Sequence, residues 1–347
     1  MAAAPDPVKI LILKPSSLGD VIQALPVLRL LKRHLAHSPI YWWIESKLAP
    51  LIEGDPDLSG VVRFERRGWT RAQNWLQLGQ SLRWCRQQDF DWVIDLQCLA
   101  RSGAFAWLAN GRLTVGLDES REGARGFYDL IARRNSFHTH AVDWYLSVLP
   151  LLGVPVHWDF KWLPPRVEVQ ADLRRQWPVD DHGWILLQPG ARWANKRWPE
   201  ASFAQLLQRL AAHYPEHRFA VLGGPEDRPL GDVIAQAAPG RCLDLTGRLT
   251  LPEMVEWVRL SDLMITNDTG PMHVAAAAGT PVVALFGPTE PCRTGPFRQL
   301  ENVVQLDLPC VPCLRSRCAY TKPLECLRAL PWEAVFQAVT RRIDRPG

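Results

Sequence analysis

The chain has 347 residues, of which 47% are hydrophobic and 22% charged, and its formal net charge at pH 7 is +4. This composition excludes a generally disordered chain, and the small net charge argues against a dedicated nucleic-acid-binding protein. Because single domains usually have about 100–200 residues, the length predicts two domains.

The N-terminal sequence, MAAAPDPVKILIL, lacks the basic segment followed by an apolar segment that marks a secretory signal. No apolar run approaches the roughly 20 residues that a membrane-spanning helix needs. We therefore expect a cytoplasmic protein, and peripheral contact with a membrane stays open.

In the first half of the chain, apolar segments that predict strands alternate with segments of helical periodicity. The predicted strands cover residues 8–13, 40–44 and 92–96. The predicted helices cover residues 21–35, 75–88 and 143–152. This alternation is typical of α/β architecture with a largely parallel sheet.

The second half repeats the pattern after a polar, proline-rich stretch. The predicted strands cover residues 184–188, 219–222, 242–245, 263–265 and 282–286. The predicted helices cover residues 201–213, 230–238, 252–260, 272–278 and 332–342. A second α/β domain is therefore expected.

We place an N-terminal domain at residues 1–163, a linker at 164–182 and a C-terminal domain at 183–330. The remaining segment, 331–347, contains a helix that is a candidate to pack back on the N-terminal domain. Two α/β domains imply a cleft between them, where such folds usually bind ligands.

The segment from Asn267 to Pro291 has the pattern of a strand end, a polar turn, a small-residue helix, a strand and a second polar turn. Free N–H groups and the dipole at the start of that helix favour an anion. Gly270 lets the backbone approach a ligand closely, and Asp268 and Thr269 add polar groups. The alternative is an ordinary capped turn, because Asn, Asp and Thr all cap helices well.

The first predicted strand leads into Lys14-Pro15-Ser16-Ser17-Leu18-Gly19-Asp20, directly before a helix. This order places the Asp20 carboxylate at a helix N-terminus that faces the expected cleft. Asp20 is a candidate catalytic residue. The other explanation, a strong one, is the tendency of acidic residues to complement the helix dipole.

Two further loops of the second domain carry charged side chains. Lys196 and Arg197 follow one predicted strand and could neutralise a phosphate, or could simply be solvated. Glu226 follows the next strand, where a carboxylate could accept hydrogen bonds from a ribose diol.

Predicted loops of the first domain are rich in arginine, a residue suited to binding phosphate or carboxylate groups. A solvated basic surface is the simpler explanation. These arginines include Arg66, Arg67, Arg101 and Arg121.

Four of the eight cysteines cluster late in the chain, in a C-x2-C-x4-C-x7-C pattern. Metal binding is one interpretation, although the spacing is shorter than that of common zinc sites. Free thiols in a turn-rich segment are the other. The four residues are Cys310, Cys313, Cys318 and Cys326.

Taken together and in this order, these motifs resemble the lipopolysaccharide heptosyltransferases of glycosyltransferase family 9. The resemblance covers nearly the whole chain. It rests on the loop from Lys14 to Val21, the strand end at Asp95-Leu96-Gln97, Lys196-Arg197-Trp198-Pro199, Asn267-Asp268-Thr269-Gly270 with His273, and Phe286-Gly287-Pro288-Thr289.

The resemblance implies a GT-B fold, with acceptor binding by an N-terminal and donor binding by a C-terminal Rossmann-like domain. It implies inverting, metal-independent transfer of heptose from ADP-L-glycero-β-D-manno-heptose to the inner core of lipopolysaccharide, with no cofactor. Asp20 would be the general base. The donor would be bound by Lys196, Glu226, Asp268, Thr269, Gly270 and His273.

The implied acceptor is Kdo-modified lipid A, because residues 114–145 look like the heptosyltransferase I type. Acceptor contacts would come from Lys14, Arg66, Arg67, Arg101 and Arg121. The cysteine-bearing tail looks more like heptosyltransferase II, so first and second heptose transfer stay open.

Three other functions also stay open. The chain could be a family 9 enzyme with a different nucleotide-sugar donor, a non-hydrolysing sugar-nucleotide epimerase, or a non-catalytic nucleotide-sugar-binding protein. A Rossmann dehydrogenase is disfavoured because no G-x-G-x-x-G follows the first strand.

Overall fold

The computed structural model describes residues 7–65, 72–118, 122–180 and 182–344. The chain divides into two units, residues 1–164 and 165–347. Each unit is built around a parallel six-stranded sheet with helices between its strands. The prediction of two α/β domains is therefore confirmed.

In the first unit the sheet order is β3-β2-β1-β4-β5-β6. The strands are β1 (Ile10–Leu13), β2 (Ile40–Glu45), β3 (Gly60–Phe64), β4 (Trp92–Asp95), β5 (Leu113–Leu117) and β6 (Leu130–Ala132). The helices are α1 (Leu18–His34), α2 (Ala72–Gln87), α3 (Ala100–Leu108), α4 (Ala141–Leu146) and α5 (Val148–Leu151). The strand order reverses between β1 and β4, the position where open α/β sheets bind ligands.

In the second unit the sheet order is β12-β11-β10-β7-β8-β9, with the reversal between β7 and β10. The strands are β7 (Trp184–Gln188), β8 (Arg218–Val221), β9 (Cys242–Asp244), β10 (Leu263–Asn267), β11 (Val282–Phe286) and β12 (Val303–Gln305). The helices are α6 (Val167–Gln176), α7 (Glu200–His213), α8 (Arg228–Ala235), α9 (Leu251–Arg259), α10 (Gly270–Ala278), α11 (Pro291–Thr294), α12 (Glu325–Arg328) and α13 (Trp332–Ile343).

The central strands are continuous apolar runs because both faces of a parallel sheet are covered. Every residue of β1, β7, β10 and β11 is buried. In the first unit the Trp43 ring stacks between Phe64 and Phe105, at centroid distances of 4.2 and 4.4 Å. These cores hold the strand ends, and the loops that follow them, in fixed positions.

Two segments at the borders of the predicted domains have packing partners in the second unit. The stretch predicted as a linker contains α6, which packs on α9 of the second unit. There the buried Glu256 carboxylate accepts hydrogen bonds from the Arg166 backbone N (3.1 Å) and from Gln170 Nε2 (2.6 Å). Within the second unit, the C-terminal helix α13 packs on α7; its packing on the first domain stays a prediction.

Within the described residues we find no helix whose length and hydropathy would let it span a lipid bilayer.

Arg29 on α1 is the centre of a buried ionic network that should contribute to the stability of the first unit. Its guanidinium donates to both oxygens of Asp55 (2.6 and 2.5 Å) and to Asp57 (2.7 Å), and the Arg29 and Asp55 side chains are only 3% and 7% exposed. Arg29→Met leaves the Asp55 carboxylate buried without its main counter-charge. We expect the free energy of unfolding to fall by about 3–5 kcal/mol in urea denaturation.

The matched control is Arg33→Met, one turn further along the same helix. Arg33 pairs with Asp159 on the surface, where the two side chains are 48% and 82% exposed. Such a pair contributes about 0–1 kcal/mol. Equal losses in the two variants would contradict the assigned importance of the Arg29 network.

Candidate active site

The loop after β1 places a buried lysine beside the candidate base. Because β1 and β4 are neighbouring parallel strands, the loops that follow them meet at one edge of the sheet. Lys14 Nζ donates to the Leu96 carbonyl oxygen in the loop after β4 (2.8 Å) and lies 4.5 Å from the centroid of the Tyr145 ring. It also lies 3.9 Å from Asp20 Oδ1.

Asp20 occupies the first turn of α1, with its side chain 41% exposed. It accepts hydrogen bonds from Ser17 N (2.9 Å), Ser17 Oγ (2.6 Å) and the Tyr145 hydroxyl (3.1 Å). Burial opposes ionisation, but the Lys14 charge and these hydrogen bonds outweigh it and lower the pKa of the Asp20 carboxyl below its usual value. The group is thus a carboxylate at neutral pH that a ligand can reach.

Both interpretations of Asp20 from the sequence fit this geometry. The hydrogen bond from Ser17 N makes the carboxylate a helix cap, while its exposure and ionisation suit a general base. The Asp20 carboxylate can cap the helix and also act as a base, because the capping hydrogen bond holds it in a fixed position.

Asp95 shapes the loop that holds Lys14. Its carboxylate is fully buried and accepts from the Tyr128 hydroxyl (2.7 Å), Gln97 N (2.8 Å) and Cys98 N (3.2 Å). Burial raises the pKa of this carboxyl. The strand end that we singled out in the sequence is therefore a buried support for the loop around Lys14.

In the second unit, Asn267 ties the loop after β10 to the loop after β7. Its side chain is fully buried; Oδ1 accepts from Trp198 N (3.1 Å) and Nδ2 donates to the Pro189 carbonyl oxygen (2.7 Å). These two strands flank the reversal in the sheet order. Asn267 thereby sets the spacing of the loops that carry Lys196 and Asp268.

Lys196, Asp268 and Thr289 form one cluster. Asp268 Oδ2 accepts from Lys196 Nζ and from Thr289 Oγ1, each at 2.5 Å. The Lys196 ammonium also lies 4.8 Å from the centroid of the Trp193 ring. Three loops at the carboxyl edge of the sheet thus hold an oriented cation.

Directly beside this cluster, α10 begins at Gly270, after Thr269 as its N-cap. The Thr269 side chain makes no capping hydrogen bond, so it does not occupy the helix N-terminus itself. His273, also predicted to bind the donor, is nearly buried in the first turn. The N-terminus of α10 favours an anion, and the neighbouring Lys196 ammonium is a further donor whose charge Asp268 partly offsets.

Glu226 lies exposed on the loop after β8, in a short 3-10 turn. The neighbouring Asp227 is nearly buried and accepts from Gly224 N (3.1 Å). A Cβ atom at Gly190 would collide with the Asp227 carboxylate, so the loops after β7 and β8 touch at a point that only glycine allows. The structure therefore joins the Glu226 loop to the loop that leads to Lys196.

The predicted acceptor contacts are only partly within the described residues. Arg66, Arg67 and Arg121 lie outside them. Arg101 is exposed in the first turn of α3. Lys14 is buried and engaged as described above, a geometry that favours support of Asp20; its contact with an acceptor, like that of the arginines, stays a prediction.

The four late cysteines line one cavity of about 310 Å³ as unpaired thiols. Among the described residues, no group of three or more ligand-type side chains is arranged to hold a metal ion. The cysteine segment also makes hydrogen bonds to the loops after β7 and β11. Leu314 N donates to the Pro288 carbonyl oxygen (2.7 Å), and Asn195 Nδ2 donates to the Arg315 carbonyl oxygen (2.8 Å).

Sequence reasoning missed two residues of these arrangements, Tyr145 and Trp193. Tyr145 lies 125 residues from Asp20, and no local pattern links the two. Thr289 belonged to a motif that we quoted, but its bond to Asp268 depends on the pairing of β10 with β11.

Comparison with known proteins agrees with these motifs. A family model described as glycosyltransferase family 9 (heptosyltransferase) matches residues 75–323. The chain is 30% identical over 328 residues to lipopolysaccharide heptosyltransferase 1 of Pseudomonas aeruginosa, covering 90% of this chain and 88% of that protein.

Two solved structures are similar along nearly their whole length. The glycosyl transferase family 9 protein of Veillonella parvula has a TM-score of 0.80 at 25% identity, covering 99% of each chain. The Escherichia coli heptosyltransferase WaaC with ADP has a TM-score of 0.76 at 22% identity, covering 96% of this chain and all of that one. The similarity confirms the predicted GT-B fold class. The chain, with these loops and this match over most of its length, belongs to glycosyltransferase family 9, the heptosyltransferase family, and is a glycosyltransferase.

Proposed function

We propose that this enzyme transfers heptose from ADP-L-glycero-β-D-manno-heptose to the Kdo-lipid A region of the lipopolysaccharide inner core, with inversion at the anomeric carbon. The proposal rests on the Lys196 ammonium beside the N-terminus of α10. Asp268, which also accepts from Thr289, holds this ammonium in a fixed orientation. A nucleotide diphosphate is the ligand that such a site suits. It draws support from the heptosyltransferase relatives and from the similar structure with ADP.

The proposed reaction is a single displacement. The acceptor hydroxyl loses its proton to the Asp20 carboxylate and its oxygen bonds to the anomeric carbon. The bond from that carbon to the phosphate oxygen breaks, and ADP leaves with the electron pair. Asp20 then returns the proton to solvent.

Each side of this displacement needs a different kind of group. The acceptor side needs a base that is ionised before the reaction, which fits the lowered pKa of Asp20. The leaving side needs positive charge at the diphosphate. In our proposal Lys196 and the N–H groups of Thr269 and Gly270 supply it, so that the enzyme is metal-independent.

The remaining roles follow the same pattern. Glu226 would accept hydrogen bonds from the ribose hydroxyls, since its exposed carboxylate follows β8 at the carboxyl edge of the sheet. Asp268 would contact the transferred sugar through Oδ1, because Oδ2 already accepts from Lys196 and Thr289. His273 would contact the phosphates. Lys14 and the first-unit arginines would face the anionic acceptor, and the lipid acceptor implies peripheral contact with the inner membrane.

The direct test incubates purified protein with ADP-heptose and Kdo-modified lipid A. We expect release of ADP in equal amount to heptosylated acceptor, detected by mass spectrometry, with activity that persists in EDTA. No ADP release across a panel of inner-core acceptors would overturn the heptose assignment. Conversion of a nucleotide sugar without any acceptor would identify an epimerase, and tight binding without turnover would identify a non-catalytic binding protein.

Asp20→Asn tests the proposed base. The amide keeps the size of the side chain but cannot accept the proton, so we expect kcat to fall by about 10²–10⁴-fold. The Kd for ADP, measured by calorimetry, should stay nearly unchanged. Asp159→Asn, at an exposed position of the same unit, is the matched control. Equal loss of ADP affinity in Asp20→Asn would show that Asp20 is structural.

Lys196→Met tests the proposed diphosphate site. Removal of a charged donor should weaken ADP binding by roughly 10- to 100-fold in calorimetry, because hydrogen bonds to charged groups are the stronger ones. Lys322→Met, at a mostly exposed position of the same unit, should leave the affinity unchanged. Wild-type affinity in Lys196→Met would place the diphosphate elsewhere.

A further inference from the structure

The two carboxylate oxygens of Asp20 have different surroundings. Oδ2 accepts two hydrogen bonds, from Ser17 N (2.9 Å) and Ser17 Oγ (2.6 Å). Oδ1 accepts one, from the Tyr145 hydroxyl (3.1 Å), and has the Lys14 ammonium 3.9 Å away. The carboxylate is therefore held by the first turn of its own helix on one oxygen and by α4 on the other.

A carboxylate oxygen offers about two lone-pair directions for hydrogen bonding. Both directions of Oδ2 are used by Ser17, whereas Oδ1 keeps one. We infer that Oδ1 is the oxygen that accepts the proton of the acceptor hydroxyl, and that Tyr145 is the positioning residue that aims it. This inference rests on the proposed role of Asp20 as the general base.

Tyr145 is well suited to hold a fixed direction. The residue is nearly buried on α4, and the Lys14 ammonium lies against its ring at 4.5 Å. Lys14 is in turn held by the Leu96 carbonyl oxygen at 2.8 Å. Neither the ring nor the ammonium can turn away without giving up a contact in a buried place.

The hydroxyl of Tyr145 also keeps its proton. Burial first, and then the negative charge of Asp20, raise the pKa of Tyr145 well above its usual value. The hydroxyl is therefore protonated at neutral pH and can donate to Oδ1. A donor that keeps its proton can orient a base without competing for the proton that the base collects.

A double-mutant cycle tests this role. Tyr145→Phe removes the hydroxyl but keeps the ring against Lys14, so we expect kcat about 10-fold lower with an unchanged Kd for ADP. If Tyr145 acts only through Asp20, Tyr145→Phe causes no further loss in the Asp20→Asn background, measured by single-turnover kinetics. A merely structural role would lower activity by the same factor in both backgrounds.

Two variants make the comparison specific. Ser17→Ala removes one bond to Oδ2 while the Ser17 N–H still holds that oxygen, so we expect a loss in kcat of less than about 3-fold. Tyr214→Phe removes a bond of similar length between a tyrosine hydroxyl and an aspartate, Asp344 (3.0 Å), in the second unit. It should leave kcat at the wild-type value.

The outcomes separate this inference from the proposed function. Wild-type kcat in Tyr145→Phe, or a Ser17→Ala loss equal to or larger than that of Tyr145→Phe, would overturn the positioning role while Asp20→Asn still shows the base. No turnover by the wild-type enzyme on any inner-core acceptor would overturn the proposed function itself. Thermal unfolding of each variant shows whether the fold is kept, and Tyr145→Trp provides a second removal of the hydroxyl.

Discussion

The structure depends on one constraint, the parallel direction of every strand pair in both sheets. Parallel strands end at the same edge, so loops that are far apart in sequence come together there. Lys14 and the Leu96 carbonyl oxygen meet in this way in the first unit, and Lys196 and Asp268 meet in the second. These residues need not be close in sequence, because the parallel sheet places the loops that carry them side by side.

Hydrogen bonds beneath these loops fix their positions relative to one another. Asn267 joins the loops after β7 and β10, and the cysteine segment joins the Pro288 loop and the Asn195 turn. In the first unit, the Asp95 carboxylate orders the loop that holds Lys14. Within each unit, these hydrogen bonds keep the candidate site residues in fixed positions, which catalysis by positioning requires.

The sequence predicted every strand that is buried along its whole length. The strands β1, β7, β10 and β11 are uninterrupted apolar runs, which single-sequence patterns detect. The strand β5 escaped because Gly116 interrupts its apolar run, and the structure shows why a glycine is needed: a Cβ atom there would enter the Tyr128 ring. The strands β3 and β12 also escaped, and neither contains a fully buried residue.

Some residues of the candidate site could likewise be predicted from the sequence and others could not. Asp20, Lys196 and Asp268 could be predicted because each directly follows, or nearly follows, a strand that the sequence identified. Tyr145 could not, since its hydrogen bond to Asp20 depends on the packing of α1 against α4. Local sequence patterns identify the loops that hold candidate site residues. Residues that reach the site from a distant helix can be identified only from the structure.

The cluster of Lys196 with Asp268 and Thr289 has a consequence for how a ligand would be recognised. A free lysine side chain loses on the order of 2 kcal/mol of conformational entropy when it is immobilised. Here the Lys196 ammonium is already held by Asp268 and lies over Trp193, so this loss occurs during folding. Association with an anion would then cost little further ordering of the protein, which favours recognition by a rigid site over one that forms around its ligand.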